Sequence, residues 1–163
     1  MAPTEVRLTQ MTDEQFDEWR SEHERSYAET LSSRYGLTAE EAQRLAQNEV
    51  RTALPGGRVT PGMHVLNVTH GDDVVGTLWW GAHSSRPRTA YVYDIVIRPT
   101  HRGRGFGRAT MIAAENEART SGADSLGLSV TVSNDAARRL YDSLGFVAAS
   151  LSMTKSIGRQ HGR

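Results

Sequence analysis

The chain has 163 residues, room for one domain built around one core. Its 19 basic residues are balanced by 19 acidic ones, which excludes a global field for gripping nucleic acid or an anionic membrane. It has no cysteine, which excludes disulfides, thiolate metal sites and cysteine nucleophiles.

The opening residues, MAPTEVRLTQ, lack the apolar stretch of a signal peptide. No apolar run approaches the roughly 18 residues of a membrane span, so a cytoplasmic protein is expected. EVRLT (5–9) alternates as a short strand does. From residue 12 to 36 the sequence predicts a helix: Thr12 or Asp13 caps it, acids fill its first turn, and Gly36 ends it. Phe16, Trp19, Tyr27 and Leu31 share one stripe of that helix. Residues 38–54 open with the pair Thr38 and Glu41, a capping box, and predict a second helix stopped by Pro55-Gly56-Gly57.

Strands follow. HVLNVTH (64–70) and VVGTLWWGAH (74–83), joined at Gly71-Asp72-Asp73, read as a hairpin. AYVYDIVIR (90–98) is the most strand-like segment of the chain, and Pro99 ends it. A helix is predicted over 107–122 with Ala109, Ile112 and Ala113 on one side. A strand is expected over 125–134, a helix over 134–145 capped by Asn134 and closed by Gly145, and a last strand over 146–155. The order β-α-α-β-β-β-α-β-α-β predicts an α/β fold, a mixed central sheet flanked by helices. Residues 1–155 are expected to form one domain and 156–163 a disordered basic tail.

Between the strongest strand and the following helix lies RPTHRGRGFGRA, with three glycines and four arginines in residues 98–109. It is not a Walker loop, because no lysine follows the glycines. It is not a dinucleotide fingerprint either, because the spacing is G-x-G-x-G. The setting is nevertheless right for phosphate. Glycine admits close approach to main-chain N–H groups, the next helix presents unpaired donors, and Arg102, Arg104 and Arg108 add charge. On the loop alone, a solvated turn or an Arg/Gly contact with nucleic acid would read the same way.

The wider pattern is Arg102-x-x-Gly105-x-Gly107 after a strand ending DIVIRP, then SVTVSNDAARRLYDSLGFV with Asn134, Tyr141 and Leu144-Gly145-Phe146. This combination, over residues 64 to 155, resembles the GNAT superfamily of acyl-CoA-dependent N-acetyltransferases. The resemblance implies acetyl-CoA as acyl donor and an amine acceptor; no metal is expected, because the six histidines show no metal-ligand spacing, and a homodimer is left open. It also implies that the backbone of Ile95, Val96 and Ile97 holds the pantetheine arm. The pyrophosphate would lie on Arg102, Gly103, Arg104, Gly105, Phe106, Gly107 and Arg108, and Asn134 would bond the cofactor arm. Without a ligand in mind, Ile95 to Ile97 would be plain core strand and Asn134 a helix cap.

Acetyl transfer needs a neutral amine, and alkyl amines hold their proton up to a pKa of about 10.4, so a base or water chain must remove it. The resemblance implies a backbone N–H near Val96 for the oxyanion. It implies Tyr141 as the acid that reprotonates the thiolate; packing against Ala137 is the alternative. Some relatives carry Glu at the position of Ser129, which cannot serve as base. Asp94 is then the candidate, as base or as counter-ion to the acceptor, unless it pairs with an arginine. Strict alternation sets Asp94 on the face opposite Tyr93 and Ile95. His64, His83 and Tyr93 are weaker candidates. Trp19, Tyr27, Trp79 and Trp80 could line an acceptor site, and Glu22, Glu24 and Glu29 could attract a cation. A non-catalytic acyl-CoA-binding or regulatory module is the alternative to an enzyme.

Overall fold

The structure is a computed structural model and describes residues 4–158. The chain divides after Ser129 into two compact units.

The first unit is a five-stranded mixed sheet with helices on both faces. Its strands are β1 (Arg7–Gln10), β2 (Met63–His70), β3 (Asp73–Ala82), β4 (Thr89–Ile97) and β5 (Ser125–Leu128), in that spatial order. The first four are antiparallel, and β5 runs parallel to β4. Between β1 and β2 come α1 (Asp13–Tyr35) and α2 (Ala39–Ala53); α3 (Phe106–Thr120) joins β4 to β5.

Local signals place the helix ends. Thr12 and Gln15 form a capping box at the start of α1, as Thr38 and Glu41 do at α2. Gly36 ends α1 in the left-handed conformation at φ +65°. One face of the sheet, through Val65 and Trp79, packs with Met11, Phe16, Trp19, Val50 and Leu54 in a buried cluster. The two helices meet each other through Ala28 and Leu31 against Ala42 and Ala46. Small residues there let the helix backbones come close, and both α2 alanines are fully buried. The alternate strand residues, Leu66, Val68, Leu78 and Trp80, are buried on the other face. There α3 packs on β3 and β4, and the Trp80 indole donates to Glu117 at 3.1 Å.

The buried stripe of α3 is Phe106, Thr110, Met111, Ala114 and Ala118. The expected stripe of Ala109, Ile112 and Ala113 is rotated from it, and Ile112 is exposed. The helix begins one residue early, and the bulky side chains that it buries are Phe106 at the first position and Met111 in the second turn.

The second unit holds α4 (Asp135–Ser143), capped by Asn134 and followed by Gly145 at φ +87°. The strand expected over 125–134 stops at Leu128, and the chain turns at residues 132–133. Residues 146–158 carry no strand, and Val147, Leu151 and Met153 are exposed. Strand-like alternation is present there, but a strand forms only with a partner ladder, and no other strand lies among the described residues of this unit. Of the tail expected over 156–163, residues 159–163 lie outside the described residues.

Candidate functional site

Two glycines shape the turn from β4 into α3. After Ile97 the chain makes a short 3₁₀ turn, Pro99–His101, and then Gly103 and Gly105 take φ +73° and +82°. Side chains disfavour that region, so glycine is required at both. Gly105 is also crowded: a Cβ there would lie 3.1 Å from the Thr4 hydroxyl oxygen. That hydroxyl donates to the Arg104 carbonyl at 3.0 Å and ties the chain's beginning to the loop.

The loop delivers the N-terminus of α3 uncapped. Side chains cap α1, α2 and α4, whereas Gly105 offers α3 none. A helix start without a side-chain cap turns its first N–H donors and the positive end of the helix dipole toward this loop, a setting that suits an anion. The arginines differ in their duties. Arg102 turns back, donating Nε–H to the Ile97 carbonyl at 3.0 Å. Arg104 lies 5.3 Å from the Phe106 ring centroid. The Phe106 side chain is buried, with the rings of His70 and His101 packed edge-on against it. What Phe106 can offer a ligand is its backbone N–H.

β5 pairs with β4 only from Thr89 to Val92. The second half of β4, Tyr93 to Ile97, has β3 on one side and no β5 partner on the other. Ile95, Val96 and Ile97 therefore combine an extended backbone with an edge. Val96 is not a core residue, since 43% of it is exposed. On the β3 side, Gly76 lets the strands close up: a Cβ there would sit 2.2 Å from the Val96 carbonyl oxygen.

A β-bulge changes which way Asp94 faces. Trp79 pairs with Asp94 but Trp80 pairs with Val92, so Tyr93 is an extra residue in β4. Tyr93 and Asp94 both serve the α1 face, contrary to strict alternation. Tyr93 stacks on Trp79 at 4.8 Å and donates its hydroxyl to the Ala82 carbonyl at 3.0 Å. Burial first, then Tyr91, raises its phenol above the ordinary range. Asp94 Oδ2 meets Nδ1 of His23, on α1, at 3.1 Å. The partner expected for Asp94 was an amine or an arginine; the side chain it meets is a histidine. His23 is itself stacked on Trp19 and Tyr27 and lies edge-on to Trp79.

His23 escaped the sequence reading, although its spacing of four from both Trp19 and Tyr27 puts it on the stripe that was identified. The aromatic group considered for an acceptor site is divided by the sheet. Trp19, Tyr27, Trp79 and Tyr93 share the α1 face, with the Tyr27 hydroxyl donating to Glu49 at 2.5 Å. Trp80 faces α3 with His64 stacked on it at 4.4 Å, which removes His64 from the neighbourhood of Asp94. The indole N–H groups of Trp19 and Trp79 are buried without a partner among the described residues. His83 accepts from the Ser85 N–H and packs edge-on to Tyr91. Glu22 pairs with Arg25 on the exposed face of α1, a solvated helix surface.

In the second unit the Asn134 side chain accepts the Ala137 N–H at 3.2 Å, the cap anticipated for it. Tyr141 is half-buried and lies 5.7 Å from the Phe146 ring.

The profile of the Acetyltransferase (GNAT) family matches residues 8–146, a stretch that spans both units. The chain is 30% identical to the uncharacterized N-acetyltransferase YycN of Bacillus subtilis, over 93% of this chain and 99% of that protein. The crystal structure of YycN superposes with a TM-score of 0.86, covering 94% of this chain and 99% of that one. The structure of AAC(6')-Iy in complex with the bisubstrate analogue CoA-S-monomethyl-acetylneamine is similar in fold, with a TM-score of 0.58 at 12% identity, covering 93% and 97% of the two chains.

Proposed function

The chain belongs to the acetyltransferase (GNAT) family and is an acyltransferase; from that premise we propose that it moves an acetyl group from acetyl-CoA to a primary amine of a small molecule or peptide, by direct attack in a ternary complex. The observation that carries this reading is the junction of β4 and α3. An edge of extended backbone at Ile95 to Ile97 runs into a turn of two left-handed glycines and an uncapped helix N-terminus. That sequence of features suits a ligand with an amide-bearing arm and a pyrophosphate. The arm takes the strand edge and the phosphates take the N–H groups of residues 103 to 108, with Arg102, Arg104 and Arg108 supplying charge.

Acetyl-CoA brings an activated acyl group whose leaving thiol has a pKa of about 8.5, comparable to cysteine. The chain contributes the rest. A backbone N–H beside Val96 donates to the oxyanion. Asp94 attracts the cationic amine and orients it, or takes its proton through water. Tyr141 returns a proton to the thiolate, and Asn134 bonds the cofactor arm while capping α4. Direct transfer accords with a chain that has no cysteine to carry an acyl intermediate. In this reading residues 1–155 act as one acetyltransferase domain.

The test is product analysis. The protein is incubated with acetyl-CoA and a panel of free amino acids, polyamines, aminoglycosides and peptide N-termini, and mass spectrometry seeks an acetylated amine. Acetyl-CoA binding with no acetylated product from any class would replace the enzyme with a non-catalytic acyl-CoA-binding module.

A further inference from the structure

We propose that His23 is a positioning residue for the acceptor, and that it makes recognition of a cationic amine depend on pH by competing for Asp94. The proposal rests on the reading of Asp94 as an acceptor-site carboxylate and adds a residue from another element to it.

The geometry is specific. Nδ1 of His23 faces Oδ2 of Asp94 at 3.1 Å, and both side chains are largely buried, 12% and 22% exposed. Among the described residues Asp94 has no other hydrogen-bond partner, so Oδ1 is left for an incoming group. The imidazole cannot swing away. Trp19 stacks on it at 5.1 Å, Tyr27 stacks at 6.0 Å, and Trp79 closes the edge at 5.4 Å. A carboxylate at a β-bulge is thus held from one side by a histidine that packing fixes in place.

Two charge states follow. With a neutral imidazole, Nδ1–H donates to Oδ2 and the pair keeps one negative charge, which attracts an ammonium group. With an imidazolium the pair is neutral, and the same ammonium meets no net charge. Among the described residues, the groups in contact with His23 come from three elements. From α1 the Tyr27 phenol faces it, with Glu49 of α2 behind, bonded to that hydroxyl. From β4 there is Asp94, and from β3 only the uncharged Trp79. A phenol raised by burial and by Glu49 stays neutral through the range in which imidazoles titrate. Asp94 is therefore the partner that reads the state of His23.

The experiment uses n-butylammonium as the probe and the full chain, with NMR of the Trp19 and Trp79 indole N–H signals reporting binding from about pH 5 to about pH 8. In the parent protein affinity should weaken on acidification, approaching about tenfold per pH unit at the acid end, the limit for one competing proton. His23→Asn keeps an N–H donor toward Asp94 but cannot take up a proton, so its affinity should become flat across the range. Calorimetric acetyl-CoA binding confirms that this variant is folded. Asp94→Asn should lose affinity at every pH. A parent-like acid loss in His23→Asn overturns the role of His23 and leaves Asp94 standing. Parent-like affinity in Asp94→Asn overturns the acceptor reading and this inference with it. Should His23→Asn fail to fold, reciprocity decides in the parent chain: saturating butylammonium should move His23 protonation to lower pH, and no movement refutes the coupling.

Discussion

At Gly105 a backbone requirement and a contact coincide. Its φ of +82° strains any other residue, and a Cβ would press on the Thr4 hydroxyl. Gly105→Val should therefore weaken acetyl-CoA binding at least tenfold by calorimetry, about 1.4 kcal/mol. Unchanged affinity in a folded variant would remove the phosphates from this loop. Tyr141→Phe deletes only the phenolic oxygen. If that oxygen protonates the thiolate, turnover should fall by roughly 10 to 1,000-fold with little change in acetyl-CoA affinity. Full activity would leave Tyr141 a packing partner of Phe146. The glycines and Asn134 were legible in the sequence because each answers a local backbone demand. The side on which Asp94 lies was not. One extra residue at Tyr93 shifts the alternation, and nothing within the strand marks the bulge. His23 became visible only when the bulge turned Asp94 toward α1.

Elements follow the same division between local and long-range causes. The helices α1, α2 and α4 start at their predicted caps, because a capping side chain and its partner N–H are only two or three residues apart. The β2–β3 hairpin appears where Gly71 allows the turn at φ +59°. The extent of β5 and the fate of residues 146–155 depend on partners distant in sequence, and there the reading by alternation went too far. The pairing of β3 with β4 carries a test of its own. Gly76 is the residue that admits the Val96 carbonyl, so Gly76→Ala must push the two strands apart at Val96 and Ile97. Overpacking of this kind costs about 1–3 kcal/mol. Thermal unfolding should register the loss, and acetyl-CoA affinity should fall with it, because the displaced backbone is the one assigned to the pantetheine arm. A destabilised variant with parent-like affinity would argue that the arm binds elsewhere.

Over the whole molecule the charges cancel at pH 7, and alkaline pH then acts on two half-buried phenols in particular. Burial first, with the bond to Glu49 and its charge adding, lifts the Tyr27 phenol far above its ordinary value of 10.0. Burial raises Tyr93 in the same direction. The folded chain holds these protons more tightly than the unfolded one. The resulting stability is complete below the ordinary phenol value and is lost as pH rises through the raised folded values. Melting temperature should therefore hold up to that value and then fall, and Tyr27→Phe should make the alkaline fall shallower; an equally steep fall would place its cause elsewhere. The proposed function makes one central claim, that an acetyl group passes straight from acetyl-CoA to an amine. Initial rates of CoA thiol release, measured with acetyl-CoA and an accepted amine both varied, test it most directly. The account predicts release that depends on the amine and reciprocal plots that intersect, as a ternary complex requires. Parallel plots, or thiol released at the same rate without any amine, would contradict it.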